Sequence, residues 1–334
     1  MVTAREVAKL AGVSQATVSR VLHDHASVSE DARRKVRRVM AETGYQPNGA
    51  ARAMRTNRTG TVGLIVDDMT NPFYPELVRV LGAELGAAGL RMILWDSAGP
   101  GERAALDAID QRLVDGLLFT TATAASVPLA RAIDRGAPVV LVNRTVPDLA
   151  CDQVDSDNHA GAAAAARYFA AAGRREVALV DGPRDASTAR DRGAGFRAGC
   201  AGNGLELPES RIAGGGLSHD GGRAAMARIL AGGPAPSAVF CANDFSAFGA
   251  LDALADAGLR VPEDVWVIGY DDIPMAAWGA FGLTTVRQPL ADMAATAVSL
   301  LRERVAEPGR AVRHQRFRND LVVRRTTNGQ EVLR

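Results

Sequence analysis

Residues 3–45 read TAREVAKLAGVSQATVSRVLHDHASVSEDARRKVRRVMAETGY, and the spacing of their apolar and capping residues predicts three short helices. Thr3 with Glu6 three positions later forms a capping box, and Val7, Leu10 and Ala11 then recur at helical spacing. Gly12 ends that helix and Ser14 caps the next. In the second helix Val18, Val21 and Leu22 share a face. Ala16 and Arg20 are thereby turned the opposite way, with Thr17 and Ser19 beside them. Ser29 begins a third helix, in which Val36, Val39 and Met40 repeat the pattern. Arg33, Arg34, Lys35, Arg37 and Arg38 form its basic rim.

So small a unit has little core, and it presents Arg, Ser, Thr and Gln, the side chains that reach phosphates and base edges. Two readings fit: a helix-turn-helix whose second helix enters a major groove, or a small bundle with a solvated charged face. Pattern alone leaves both open. The charge distribution favours nucleic acid. Residues 1–60 hold 11 Lys+Arg against 5 Asp+Glu, and the remainder 28 against 33, so a basic head sits on a mildly acidic body.

The chain has 334 residues, which suggests two or three globular units. A composition of 47% hydrophobic and 23% charged residues excludes disorder and fibrous folds. No apolar run approaches the roughly eighteen residues of a membrane span. The opening MVTAREVAKL lacks the apolar core of a secretory signal, so a cytoplasmic location is expected. Cys151, Cys200 and Cys241, odd in number and far apart, read as free thiols.

From Thr61 onward short apolar runs alternate with helical stretches. TVGLIVD, RMILWD, DGLLFT and PVVLVN form one series; EVALVD, AVFCAN and VWVIGYD form a second. Such alternation predicts doubly wound parallel sheets covered on both faces, and two series predict two lobes with a cleft beyond the strand ends. Polar groups cluster at those ends: Asp67-Asp68, Asn71-Pro72-Phe73-Tyr74, Asn143-Arg144, Asn243-Asp244 and Asp271-Asp272. They fit contacts to a hydroxyl-rich ligand, and for Asp68 and Asp244 a helix-capping role fits equally well.

The run V-A-x-x-A-G-V-S-x-A-T-V-S-R-V-L over residues 7–22, followed by G-Y-x-P-N-x-x-A-R over 44–52, resembles the amino-terminal segment of the LacI/GalR family of bacterial transcription regulators. The resemblance continues to about residue 326 through NPFY at 71–74, VDSDN at 154–158, R-x-x-G-F at 192–196, AVFCAND at 238–244, VIGYDD at 267–272 and LTTVRQP at 283–289. It implies an all-α helix-turn-helix DNA-binding head, joined by a hinge helix to an α/β two-lobe core like the periplasmic binding proteins. The implied limits are residues 1–46 for the head, 47–60 for hinge and linker, 61–326 for the core and 327–334 for a tail. Lobe 1 takes about 61–157 and 289–318, lobe 2 about 158–288 and 319–326. Ser14, Gln15, Ala16, Thr17, Ser19 and Arg20 are the implied DNA contacts of the head. Asn48, Arg52, Met54 and Arg55 are those of the hinge. Residues 48–55 make only about two helical turns, weakened by Gly49, so the hinge is expected to fold on DNA. Met54, where the family usually has Leu, is the implied wedge between base pairs in the minor groove.

Phe73, Thr188, Arg192, Asn243, Asp271 and Gln288 fall on family positions that usually touch effector, and the Arg192 fork can span two ligand oxygens. The sequence departs from the family at Leu217, where an aromatic is common, and at Phe281-Gly282, where a proline pair is usual. Trp95 or Trp278 could supply a replacement platform or simply pack a lobe. The implied protein is a homodimeric regulator, read as a repressor, that binds a near-palindromic operator and answers to a small metabolite, sugar-like by family frequency. A purine or nucleoside is the alternative effector.

An enzyme is a rival reading. Gly193-Ala194-Gly195 with Gly199 has the spacing G-x-G-x-x-x-G and no preceding strand, so it fails as a dinucleotide fingerprint and reads as a close-packed helix face. Ser218-His219-Asp220 are adjacent and read as a helix start. The five histidines lack metal spacing. No catalytic set, metal or cofactor is expected. A solute-binding protein, the second rival, would carry a signal peptide in place of the basic head.

Overall fold

The computed structural model describes residues 2–22, 25, 27–45, 58–97 and 100–327. Two compact units divide the chain, Met1–Thr59 and Gly60–Arg334.

In the first unit α1 spans Ala4–Ala11, α2 Gln15–Leu22 and α3 Glu30–Thr43. The caps form where local chemistry places them. Thr3 Oγ1 accepts from Glu6 N at 3.3 Å while Thr3 N donates to Glu6 Oε2 at 2.7 Å. Ser14 and Ser29 Oγ accept from Thr17 N and Ala32 N. Gly12 ends α1 at φ 66°, a left-handed conformation costly for any residue with a Cβ. Val7, Ala8, Ala11, Val18, Val21, Val28, Val36 and Val39 make the core. Leu10 corrects the expected pattern: it is 62% exposed and Ala8 is buried instead. At about 100° per residue the buried arc runs from Val7 through Ala11 to Ala8, and Leu10 falls outside it. The basic rim of α3 is also largely self-paired, with Arg33 on Glu30, Arg34 and Lys35 on Asp31, and Arg38 on Glu42.

The second unit contains two six-stranded sheets. The first has the order β11-β5-β4-β3-β1-β2 and the second β12-β10-β9-β8-β6-β7. The strands are β1 Thr61–Val66, β2 Arg91–Asp96, β3 Gly116–Phe119, β4 Val139–Val142, β5 Asp152–Ser156, β6 Val177–Asp181, β7 Ile212–Gly214, β8 Ala238–Cys241, β9 Trp266–Asp271, β10 Thr284–Arg287, β11 His314–Phe317 and β12 Asp320–Val322. All pairings are parallel except β10 with β12. Between them lie α4 Phe73–Ala87, α5 Gly101–Asp110, α6 Val127–Asp134, α7 Asn158–Ala171, α8 Ser187–Gly202, α9 His219–Ala231, α10 Asp244–Asp256 and α11 Leu290–Ala306.

Alternation along β1 explains the layering. Val62, Leu64 and Val66 join Leu77, Leu81 and Leu85 of α4 on one face, while Ile65 joins Ala105 and Leu129 of α5 and α6 on the other. The coverage is incomplete at the edge: Ile93 and Leu94 of β2 are 40% and 41% exposed. All three cysteines are buried and free. No helix among the described residues is long and apolar enough to cross a membrane.

The chain passes between the sheets three times, after Ser156, after Arg287 and after Phe317. These passages lie side by side. Ser156 Oγ is 2.8 Å from Gln288 Oε1, and Asn319 Nδ2 donates to the Asp157 carbonyl at 3.0 Å.

Candidate functional site

In the head Gln15, Ala16 and Arg20 are exposed on the outer face of α2, with Thr17 and Ser19 half-buried beside them. Ser14 is exposed too, its hydroxyl engaged by the Thr17 amide. The hinge residues Asn48, Arg52, Met54 and Arg55 lie outside the described residues.

In the core, parallel strands end and helices begin along a shared cleft, as doubly wound sheets require. A cavity lies there, lined by Asn71, Phe73, Tyr74, Asn143 and Arg144 from the first lobe and by Thr188, Arg192, Leu217, Asn243 and Asp271 from the second. Five of the six residues singled out in the core thus line one cavity. Gln288 does not line it. Its Nε2 donates to Asp271 Oδ1 at 2.8 Å from behind.

Arg192 is buried and each of its nitrogens is engaged. Nε donates to Asn158 Oδ1 at 2.8 Å, Nη1 to the Ala242 carbonyl at 2.7 Å, and Nη2 meets Asp271 Oδ1 at 2.9 Å. The guanidinium also lies 3.8 Å from the Tyr270 ring centre. Asn158 Nδ2 donates to the Ser156 carbonyl at 3.0 Å, which closes a ring of five buried residues: Ser156, Gln288, Asp271, Arg192 and Asn158. Burial raises the Asp271 carboxyl above its usual range, and the Arg192 charge opposes that rise. Asn243 caps α10, accepting from Ser246 N at 2.9 Å, while its Nδ2 donates to the Leu217 carbonyl at 3.0 Å. Leu217 stands on the wall at φ 58° where an aromatic was the family expectation.

The opposite wall is built around Arg144. Its Nη2 donates to Asp67 Oδ2 at 3.1 Å and to Tyr74 Oη at 3.2 Å, and its Nη1 to the Thr121 carbonyl at 3.2 Å. Burial pushes the Tyr74 phenol up to about 12. Asn143 holds a left-handed φ of 73°, and its buried Oδ1 has no hydrogen-bond partner. The strand-end rule pointed to Asn71, Tyr74, Asn143 and Arg144, but no motif marked them as effector contacts. Across the cleft the Thr145 amide donates to Ser187 Oγ at 2.9 Å.

The remaining candidates are structural. Asp68 accepts from Thr70 N in a turn. Gly195 packs α8 against α7: a Cβ there would lie 2.1 Å from the His159 carbonyl oxygen. Ser218 caps α9, and the His219 ring bonds Asp220 and Asp252. Trp95 packs into its lobe, and Trp278 is exposed beside Phe281. Asp244 neither caps a helix nor lines the cavity. It is fully buried, with Thr285 Oγ1 donating at 2.5 Å and Ile273 N at 3.0 Å.

Burial, reinforced by nearby Asp271, raises the Asp244 carboxyl well above its usual range. For a raised acid, stability is complete below the unfolded-chain pKa and lost as pH rises through the folded one. Asp244→Asn removes the titration, keeps an acceptor for Ile273 N, and reverses the second bond so that the amide donates to the Thr285 hydroxyl. The variant should therefore gain on the parent as pH rises from about 4 to 8. Thermal unfolding across that range checks this, and a parent that pulls ahead with rising pH rules out a neutral carboxyl.

Comparison with known proteins agrees with this architecture. The description "Bacterial regulatory proteins, lacI family" matches residues 3–48, and "Periplasmic binding protein-like domain" matches residues 166–327. The ribose operon repressor of Escherichia coli (strain K12) is 35% identical over 312 residues, covering 92% of this chain and 94% of that protein. A Lac repressor dimer bound to operator and the anti-inducer ONPF superposes with a TM-score of 0.83 at 26% identity, covering 98% of this chain and 99% of that one. A transcriptional regulator CelR–cellobiose complex superposes at 0.75 and 32% identity, covering 98% and 100%.

Proposed function

Because the chain belongs to the lacI family of bacterial regulatory proteins, we propose that it is a cytoplasmic homodimeric repressor that grips a near-palindromic operator and is tuned by a small, sugar-like effector. It is not an enzyme. The observation that carries the reading is the two-sided polar cavity. A hydroxyl-rich molecule offers both the donor that Asn143 Oδ1 lacks and acceptors for the guanidinium groups of either wall. Phe73, Thr188, Arg192, Asn243 and Asp271 are its proposed contacts, with Gln288 acting through Asp271.

For the head, Ser14, Gln15, Ala16, Thr17, Ser19 and Arg20 are the proposed major-groove contacts, and Asn48, Arg52, Met54 and Arg55 the minor-groove ones. Two copies are needed because one helix-turn-helix reads too few base pairs. The half-exposed Ile93 and Leu94 on the β2 edge favour burial against a second copy. Effector acts on operator affinity only through its different affinity for two lobe arrangements.

Recovery of genomic fragments on the purified protein, followed by gel shift of the enriched site with and without ribose or cellobiose, tests this. Retention of no duplex at modest ionic strength would end the reading. Arg20→Ala should relax base preference at one position per half-site, at a cost of roughly 1–3 kcal/mol. An equal loss on every sequence would instead place Arg20 on phosphate.

A further inference from the structure

The two walls of the cavity are not equally balanced in charge. On the second lobe, Arg192 is matched by an equally buried carboxylate, Asp271. On the first, Arg144 has an 11% exposed side chain, yet its carboxylate partner Asp67 meets one nitrogen at a single point and is 39% exposed. The other partners of Arg144, Tyr74 Oη and the Thr121 carbonyl, are neutral. A buried cation held by one water-facing counter-charge is under-compensated. The same cavity faces the start of α8, which has no side-chain cap, and Thr188 in its first turn lines it. The amides there add positive potential.

Asn143 adds an independent requirement. Its buried, unpartnered Oδ1 calls for a hydroxyl donor. A neutral sugar would satisfy Asn143 and leave the Arg144 charge as it is. A bare anion would do the reverse. A molecule that carries both groups satisfies the wall.

We propose that the effector is a hydroxylated anion, a sugar carboxylate or sugar phosphate, and that Arg144 is the residue that selects it over the neutral sugar. This rests on the effector-site reading above and names the ligand class for the same cavity. Arg144 contributes a fork matched to a carboxylate or phosphate, while Arg192 and Asp271 hold the sugar oxygens from the other side.

Calorimetric titration of the full-length protein with glucose, gluconate and glucose 6-phosphate, and with ribose, ribonate and ribose 5-phosphate, tests the class and separates carboxylate from phosphate. One acid or phosphate should bind about tenfold or more tightly than its neutral parent, the yield of one charge-assisted pair. In Arg144→Gln that ratio should fall to about one. Arg144→Lys, which keeps the charge without the fork, should retain part of the preference and serves if the Gln variant does not fold. A neutral parent that binds as tightly as its anions overturns the proposal, as does an Arg144→Gln variant with an unchanged ratio. If no compound of either kind binds, the sugar-effector reading fails first and takes this inference with it.

Discussion

Arg192→Ala should abolish the response of operator binding to any cleft ligand and destabilise the core by about 3–5 kcal/mol, the usual cost of stranding one partner of a buried ion pair. The loss is large because one side chain serves four neighbours. Asp271 loses its counter-charge, Asn158 and the Ala242 carbonyl lose a donor, and the Tyr270 ring loses the cation above it. The effect should also depend on pH. Burial already raises the Asp271 carboxyl, and without Arg192 the Gln288 bond is left to oppose it alone. A raised acid favours folding when protonated and loses that contribution as pH rises through its folded pKa. The variant should therefore fall further behind its parent at about pH 8 than at about pH 5. Urea unfolding at both values measures this. A deficit below about 1 kcal/mol at either, typical of an exposed pair, would mean that the ring is not the brace it resembles.

Gly195→Ala should cost about 1–3 kcal/mol or more, the range for overpacking a tight contact. The added Cβ would sit 2.1 Å from the His159 carbonyl oxygen and 2.7 Å from the His159 Cα, both backbone atoms that no rotamer change can move. Because His159 follows Asn158, the displaced turn of α7 carries one member of the buried ring with it. Gly249→Ala makes an equivalent clash, 1.9 Å from the His219 carbonyl oxygen, on the α9–α10 pair away from that ring. Both variants should lower the urea midpoint, whereas Gly195→Ala alone should alter the effector response. If the two behave alike in ligand titrations, the ring and the α7–α8 contact are independent.

What sequence reading recovers follows from how local each cause is. The caps at Thr3, Ser14 and Ser29 depend on residues three apart, and all three form. The strand-end rule points to Phe73, Asn243 and Asp271 and the family resemblance adds Thr188 and Arg192; all five line one cavity because parallel topology gathers strand ends. Leu10 misleads because the spacing of Val7, Leu10 and Ala11 also fits an arc centred elsewhere. RMILWD reads as a buried strand, but its exposure depends on sheet order, and it is the last strand in its sheet. The ring through Ser156, Asn158, Arg192, Asp271 and Gln288 joins residues as much as 132 positions apart, so no window reveals it. Asn143 has an ordinary strand-end sequence, and only its left-handed backbone and unmet acceptor mark it.

The three neighbouring passages between the lobes act like the knuckles of a door hinge. Pinned at three points along a seam, the lobes cannot slide past each other or twist independently, and the freedom left to them is rotation about that seam. The cavity lies between the lobes, and the Thr145–Ser187 contact also bridges them. A swing too slight to strain the pins at Ser156–Gln288 and Asn319–Asp157 becomes a larger travel wherever the panels stand farther from the axis. The molecule thereby gains leverage, since a ligand bonded to both panels can govern their angle without deforming either.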